Sequence, residues 1–109
     1  MSHSESLAGR VREIFGRRRG RSEKKMFGGV GFLLNGNMCV GIWQASLIVR
    51  VGADAYDQAL AQPHVREFDI TGRPMAGWVL VEADGVDGDA ELQGWIDRAI
   101  EFVVTLPAK

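Results

Sequence analysis

Nucleophilic catalysis requires a thiol or hydroxyl held beside a base. For that purpose the chain offers one cysteine, Cys39, and two histidines, His3 and His64. Cys39 lies within the apolar run Met38-Cys39-Val40-Gly41-Ile42-Trp43, where a small buried thiol is the ordinary outcome. His3 is near the terminus, His64 follows Pro63, and no Cys–His spacing pairs a nucleophile with a base. No catalytic residue is expected, and the chain reads as a non-enzyme, with a small-ligand-binding or enzyme function in a sheet-side pocket as a lesser alternative. Metal chemistry needs converging His, Cys or carboxylate ligands. Asp84, Asp87, Asp89 and Glu91 cluster, but the calcium-loop spacing with its twelfth-position glutamate is missing. The acids read better as charge at the start of a helix, so no metal and no cofactor is expected. Gly28-Gly29-Val30-Gly31 and Gly72-Arg73-Pro74 invite a phosphate-loop reading. Neither the lysine-serine end of such a loop nor a following helix pattern is present, and a glycine pair before a strand more often makes a tight turn or bulge.

Charge is unevenly distributed. The first 25 residues carry eight basic and three acidic groups, net +5, and the remainder carries five basic and eleven acidic groups, net −6. Arg17, Arg18, Arg19, Arg21, Lys24 and Lys25 are therefore candidate nucleic-acid contacts. The stretch offers neither a recognition helix nor aromatic stacking residues, and the acidic remainder repels a polyanion. Weak, non-specific nucleic-acid binding at most is expected, with the basic stretch lying near an acidic helix of the same domain.

These residues must be positioned by a chain of 109 residues with 46% apolar and 25% charged composition, the profile of one ordinary globular domain spanning residues 1–109. No apolar run approaches the length of a membrane span. Arg10, Arg12 and Glu13 interrupt any signal-peptide centre. No membrane association and a cytoplasmic location are expected. Leu7, Val11, Ile14 and Phe15 recur at helical period, predicting a helix over residues 4–16 capped by Ser4 or Ser6 and stopped at Gly16. Residues 16–25 read as an exposed basic loop, its apolar-free part running to Ser22. Short apolar runs at 24–27, 30–34, 38–43 and 47–51 then predict a meander of three or four strands. Asn35-Gly36 marks a type I′ hairpin, and the short break at Gln44-Ala45-Ser46 marks another. Helical period returns over 53–62, where Pro63 stops it. Strands follow at 65–70 and 77–82, an acidic loop at 84–88 and a last helix over 89–106. The order predicts an α+β fold, two-layer α-β(3)-α-β(2)-α with a mainly antiparallel sheet.

Strand alternation sets Met38, Val40 and Ile42 against Cys39, Gly41 and Trp43. It likewise sets Leu47, Val49 and Val51 against Ile48 and Arg50, and Phe32 and Leu34 against Leu33. Apolar side chains thus emerge on both faces. Either the three helices cover both faces, or another chain covers one, so a protein partner or a homodimer is expected.

Lys25-Met26-Phe27-Gly28-Gly29, following a helix and a basic stretch, resembles the N-terminal domain of the TfoX/Sxy family of competence regulators. The resemblance continues through the Asn35-Gly36 hairpin, the Leu47-Ile48-Val49-Arg50-Val51 strand and the Gly72-Arg73-Pro74 turn, covering roughly residues 5–106. It implies an α-β-β-β-α-β-β-α fold and a regulatory role exerted with other proteins on DNA-uptake genes. The family's name-giving members carry a second, helical C-terminal domain, for which 109 residues leave no room, so a stand-alone N-terminal domain is expected. The resemblance brings no catalytic residues. Met26, Phe27, Gly28, Gly29, Gly72, Arg73 and Pro74 match its motifs, with a structural role expected of them.

Overall fold

Ser4 starts the first helix because its hydroxyl takes a donor that a helix start leaves open: Oγ accepts from the Leu7 N–H at 3.1 Å. Helix α1 then runs Glu5–Phe15, burying Leu7, Ala8, Val11 and Phe15 on the stripe the spacing predicts. Gly16 ends it at φ 55°, a setting that favours glycine, and its N–H donates to the Arg12 carbonyl at 3.0 Å. The computed structural model describes residues 4–16, 19–26, 29–69 and 72–108, and of Met26 the backbone alone.

Among the described residues six strands form one antiparallel sheet: β1 (Arg21–Met26), β2 (Gly29–Leu34), β3 (Asn37–Trp43), β4 (Ser46–Arg50), β5 (Val65–Glu67) and β6 (Trp78–Val81). Their spatial order is β1-β2-β3-β4-β6-β5. Four strands precede the second helix, the larger of the two expected numbers, because the strand expected at 24–27 reaches back through half of the expected basic loop. Arg21-Ser22-Glu23-Lys24-Lys25-Met26 carries no apolar alternation, so only its end, in the run at 24–27, shows in the sequence. As an edge strand it owes its conformation to the ladder with β2 and not to burial. The two hairpins occur where expected. Asn35 and Gly36 take φ 53° and 83° between the paired Leu34 and Asn37, and Gln44 takes φ 55° between the paired Trp43 and Ser46.

Helix α2 covers only Tyr56–Leu60 and buries Ala59. No side chain caps its start at Ala55, and turns at either end hold the rest of the expected segment. Strand β5 is also shorter than expected, because Phe68 leaves the ladder to pack elsewhere. The acidic 84–88 stretch partly coils into a 3-10 turn, Ala83–Gly85. Helix α3 spans Asp89–Val103 with Asp89 and Glu91 in its first turn and buries Leu92, Ile96, Ala99 and Val103. Beyond it the Pro107 carbonyl accepts from the Asn37 side-chain amide at 2.8 Å, fastening the chain to the start of β3.

All three helices pack on one face of the sheet. The core there joins Leu7, Val11 and Phe15 of α1, Ala59 of α2 and Leu92, Ile96 and Val103 of α3 to Phe32, Val40, Ile42, Leu47, Val49, Val79 and Val81. Phe15 stacks on Phe32 with ring centroids 5.6 Å apart.

The expected alternation fails at one point. Phe32 faces Val40 but Leu33 faces Met38, so Cys39 is the extra residue of a β-bulge. The bulge turns Cys39 into the helix-side core and Met38 to the opposite face. Cys39 is thereby fully buried, away from any reagent in solution. Cys39→Ala is expected to lower stability by about 1–2 kcal/mol at most with any assayed function unchanged. The native thiol should react with a neutral-pH thiol reagent no faster than the protein unfolds. Rapid labelling under native conditions would contradict this.

Candidate functional site

The face opposite the helices is neither covered by them nor left bare. Ile48, Phe68 and Leu80 are buried there, with Met38, Trp43, Met75 and Trp78 half-buried around them. The connection between β5 and β6 supplies the cover. The Gly72 N–H donates to the Asp69 carbonyl at 2.9 Å and the Met75 N–H to the Phe68 carbonyl at 3.2 Å, and Phe68 and Met75 both pack on the sheet. Phe68 and Trp78 rings lie 6.2 Å apart. Arg50 stacks over Trp78 at 5.0 Å and over Phe102 at 5.6 Å, which closes that end of the face. Toward β1 and β2 the cover stops. Leu33, Met38 and Trp43 form a half-buried apolar strip with Lys24 beside it on the same side of the sheet.

The basic residues separate into two groups. Arg10 and Arg12 are spent on internal contacts. Arg10 reaches across to α3, donating to the Asp87 carbonyl at 3.1 Å and pairing with Asp89 at 3.0 Å. Arg12 grips Glu23 with two bonds of 2.8 and 2.9 Å and lies over the Phe32 ring. That hydrogen bond first, and then the attraction of the two charges, raises the Arg12 pKa, while Arg12's hydrogen bond holds the Glu23 carboxyl below the usual glutamate range. Arg19, Lys24 and Lys25 are exposed and Arg21 is half-buried, its side chain donating to the Arg12 carbonyl at 3.5 Å. Arg17 and Arg18 lie outside the described residues. The acids of the α3 start work as expected of a helix start, with Asp89 also holding Arg10. Among the described residues no three His, Cys, Asp or Glu converge on one point.

The two glycine motifs are not brought together, because four strands separate β1 from β5 in the sheet. Phe27 and Gly28 lie outside the described residues. Met26 closes the β1–β2 ladder opposite Gly29. Gly29 does not take positive φ; it starts β2, where a Cβ would collide with the Ile42 carbonyl. In the second motif Gly72 does take positive φ, 102°, with open space around it, and Arg73 and Pro74 are exposed.

The family model of the TfoX N-terminal domain matches residues 13–103, a span that includes both motifs. The chain belongs to this family. No curated protein and no solved structure matches it significantly. Within this TfoX N-terminal domain the family match brings no activity with it, and no helix among the described residues is long and apolar enough to cross a membrane.

One concavity of the TfoX N-terminal domain escapes a reading of its sequence. A cleft of about 560 Å³ lies between the segment after β4 and the end of α3, lined by Val51, Ala53, Asp54, Gln58, Arg98 and Phe102 among others. Its signal is Gly52, at φ 87° and placed where a Cβ would collide with the Phe102 ring; Arg98 and Phe102 read in the sequence only as the wet and dry sides of a helix. Asp54, Gln58 and Arg98 are exposed on its rim.

Proposed function

We propose that this TfoX N-terminal domain is a non-enzymatic regulatory module that works by protein contact, with the helix-free sheet face as its contact surface. The observation that carries the reading is the strip of Leu33, Met38 and Trp43, half-buried on a face that none of the described helices covers. Partly exposed methionine and tryptophan adapt to a partner's contours and contribute large apolar areas at interfaces. A second copy of the chain satisfies such a strip without any further component. The regulatory part of the proposal rests on family membership.

A second reading, a nucleic-acid-associated regulator, draws on the exposed cations Arg19, Lys24 and Lys25 with Arg21. Contacts of this kind are to phosphates and weaken steeply with salt. Random duplex DNA is expected to bind weakly and to be released at about physiological salt. Sedimentation across protein concentration and fluorescence anisotropy with random duplex separate the two. The expected result is a mass that rises toward a dimer with concentration and falls back to monomer in Trp43→Glu. A strictly monomeric protein that binds duplex tightly, with binding abolished by Arg17, Arg18 and Arg19 to Glu, would reverse the order of the two readings.

A further inference from the structure

Strand β1 lies at the edge of the sheet, with no described strand beyond it. Its ladder can be phased from one bond. The Asn35 N–H donates to the Gly20 carbonyl at 2.9 Å, and Gly20 and Asn35 continue the β1–β2 register. Bonded pairs alternate along an antiparallel ladder, so Ser22, Lys24 and Met26 exchange hydrogen bonds with β2. The N–H and C=O groups of Arg21, Glu23 and Lys25 point away from the sheet, and none of them bonds a described residue. The helix side of this edge is hollow. A cleft of about 350 Å³ between α1 and β1 is lined by Glu5, Arg12, Glu23, Lys24, Lys25 and Val30.

Charge on the edge is one-sided. Glu23 is neutralised by its two bonds to Arg12, and Glu5 is the other carboxylate at the cleft. Lys24 and Lys25 are exposed and form no ion pair with a described residue. They project to opposite faces: Lys25 lies opposite Val30 on the helix side, and Lys24 opposite Gly31 on the helix-free side. Edge lysines discourage pairing with a second copy of the same strand, since like charges then meet. They do not discourage an acidic strand, whose alternating carboxylates would meet a lysine on each face while its backbone takes the outward groups of Arg21, Glu23 and Lys25.

We propose that β1 is a docking edge for an extended acidic segment of a partner protein, which adds to the sheet as a seventh strand. The inference rests on the reading of this domain as one that works by protein contact, and it names the chemistry of a second contact on a separate surface. Strand addition draws affinity from main-chain hydrogen bonds and selectivity from alternate side chains. The outward backbone groups supply the first, and Lys24, Lys25 and the helix-side cleft supply the second.

The probe is a fluorescein-labelled peptide of alternating glutamate and threonine, followed by anisotropy at about 50 mM salt, where exposed charges are only partly screened. A matched peptide, N-methylated at every second residue, keeps the charge but loses the donors on one edge. Saturable binding of the first peptide is expected, weaker by about tenfold or more for the methylated one, because several main-chain bonds are lost. Lys25→Pro removes an outward N–H while sparing the ladder to β2, and it should abolish binding with the circular dichroism spectrum unchanged. Lys24→Glu with Lys25→Glu should also abolish it, in a variant that leaves β1 free of proline. Equal binding of the two peptides would overturn strand addition, as would no binding of either. Duplex DNA that outcompetes the peptide at the same lysines would assign the edge to nucleic acid instead. Trp43→Glu should leave peptide binding intact, so a failure of the sheet-face reading and a failure at this edge are told apart.

Discussion

A chain ending at Gly88 is expected to have no cooperative thermal transition. Helix α3 supplies Leu92, Ile96, Ala99 and Val103 to the core, with Trp95, Ile100 and Phe102 packed beside them. Each large apolar side chain buried contributes about 1.5–3 kcal/mol, so losing this set exceeds the roughly 5–15 kcal/mol by which a small domain is stable. The loss is not only apolar. Asn37 is buried and gives its side-chain amide to Pro107, and a buried polar group left unpaired costs about 1–3 kcal/mol more. Val40, Ile42, Leu47 and Val49 would meet water on the face that α3 leaves. The truncated chain should be insoluble, or should show strand circular dichroism without a sigmoidal melt. A sharp calorimetric transition in that fragment would show that α1, α2 and the sheet close a core by themselves.

The periodic elements were legible because their burial is one-sided. Leu7, Val11 and Phe15, and Leu92, Ile96 and Val103, repeat at helical spacing because each helix has one dry face. Asn35-Gly36 was legible because a two-residue hairpin demands positive φ at both positions. The start of strand β1 was not, because it lies at an edge with solvent on its flank and needs no apolar alternation; only the run at 24–27 marked it. The exchange of Met38 and Cys39 was not legible either. A bulge is set by pairing with a distant strand, and a single strand read by alternation holds no record of it.

The surfaces were harder to read than the fold. Apolar residues on both faces of the sheet were visible in the sequence, but not that Phe68 and Met75 return to cover part of the second face. That cover depends on the bonds that Gly72 makes to Asp69 and Met75 to Phe68, which no periodicity records. The charge asymmetry was legible as a sum. Which cations are spent was not, since Arg10 meets Asp89 across 79 residues of sequence and Arg12 takes Glu23 out of the charge balance. What remains is exposed charge on one strand edge, a smaller and more directional feature than a basic loop.

Gly29→Val is expected to destabilise the protein by about 3 kcal/mol or more, for a steric reason that positive φ does not supply. Gly29 opens β2 where the chain passes close to β3, and a Cβ built there meets the Ile42 carbonyl oxygen and carbon and lies 3.5 Å from the Trp43 Cα. These are backbone atoms of a central strand and cannot swing aside as a side-chain tip does. Ile42 also faces Val30 in the ladder and is buried in the core, so relief would have to separate β2 from β3 or tilt β3 against α3. Two other glycines calibrate the effect. At Gly41 the nearest atom to a Cβ is the Met38 methyl at 2.7 Å, followed by the Val30 carbonyl at 3.3 Å; the methionine tip moves readily, so Gly41→Ala should be milder than Gly29→Ala. At Gly72 nothing lies within 4 Å, and only the positive φ of 102° resists a side chain, so Gly72→Ala should cost about 1–3 kcal/mol of backbone strain. Denaturant melts of the alanine variants should therefore place Gly29→Ala lowest in midpoint, with Gly29→Val lower still. A Gly29→Val protein that melts with the wild-type midpoint would mean that β2 starts elsewhere and that the close approach to Ile42 is not part of the stable fold.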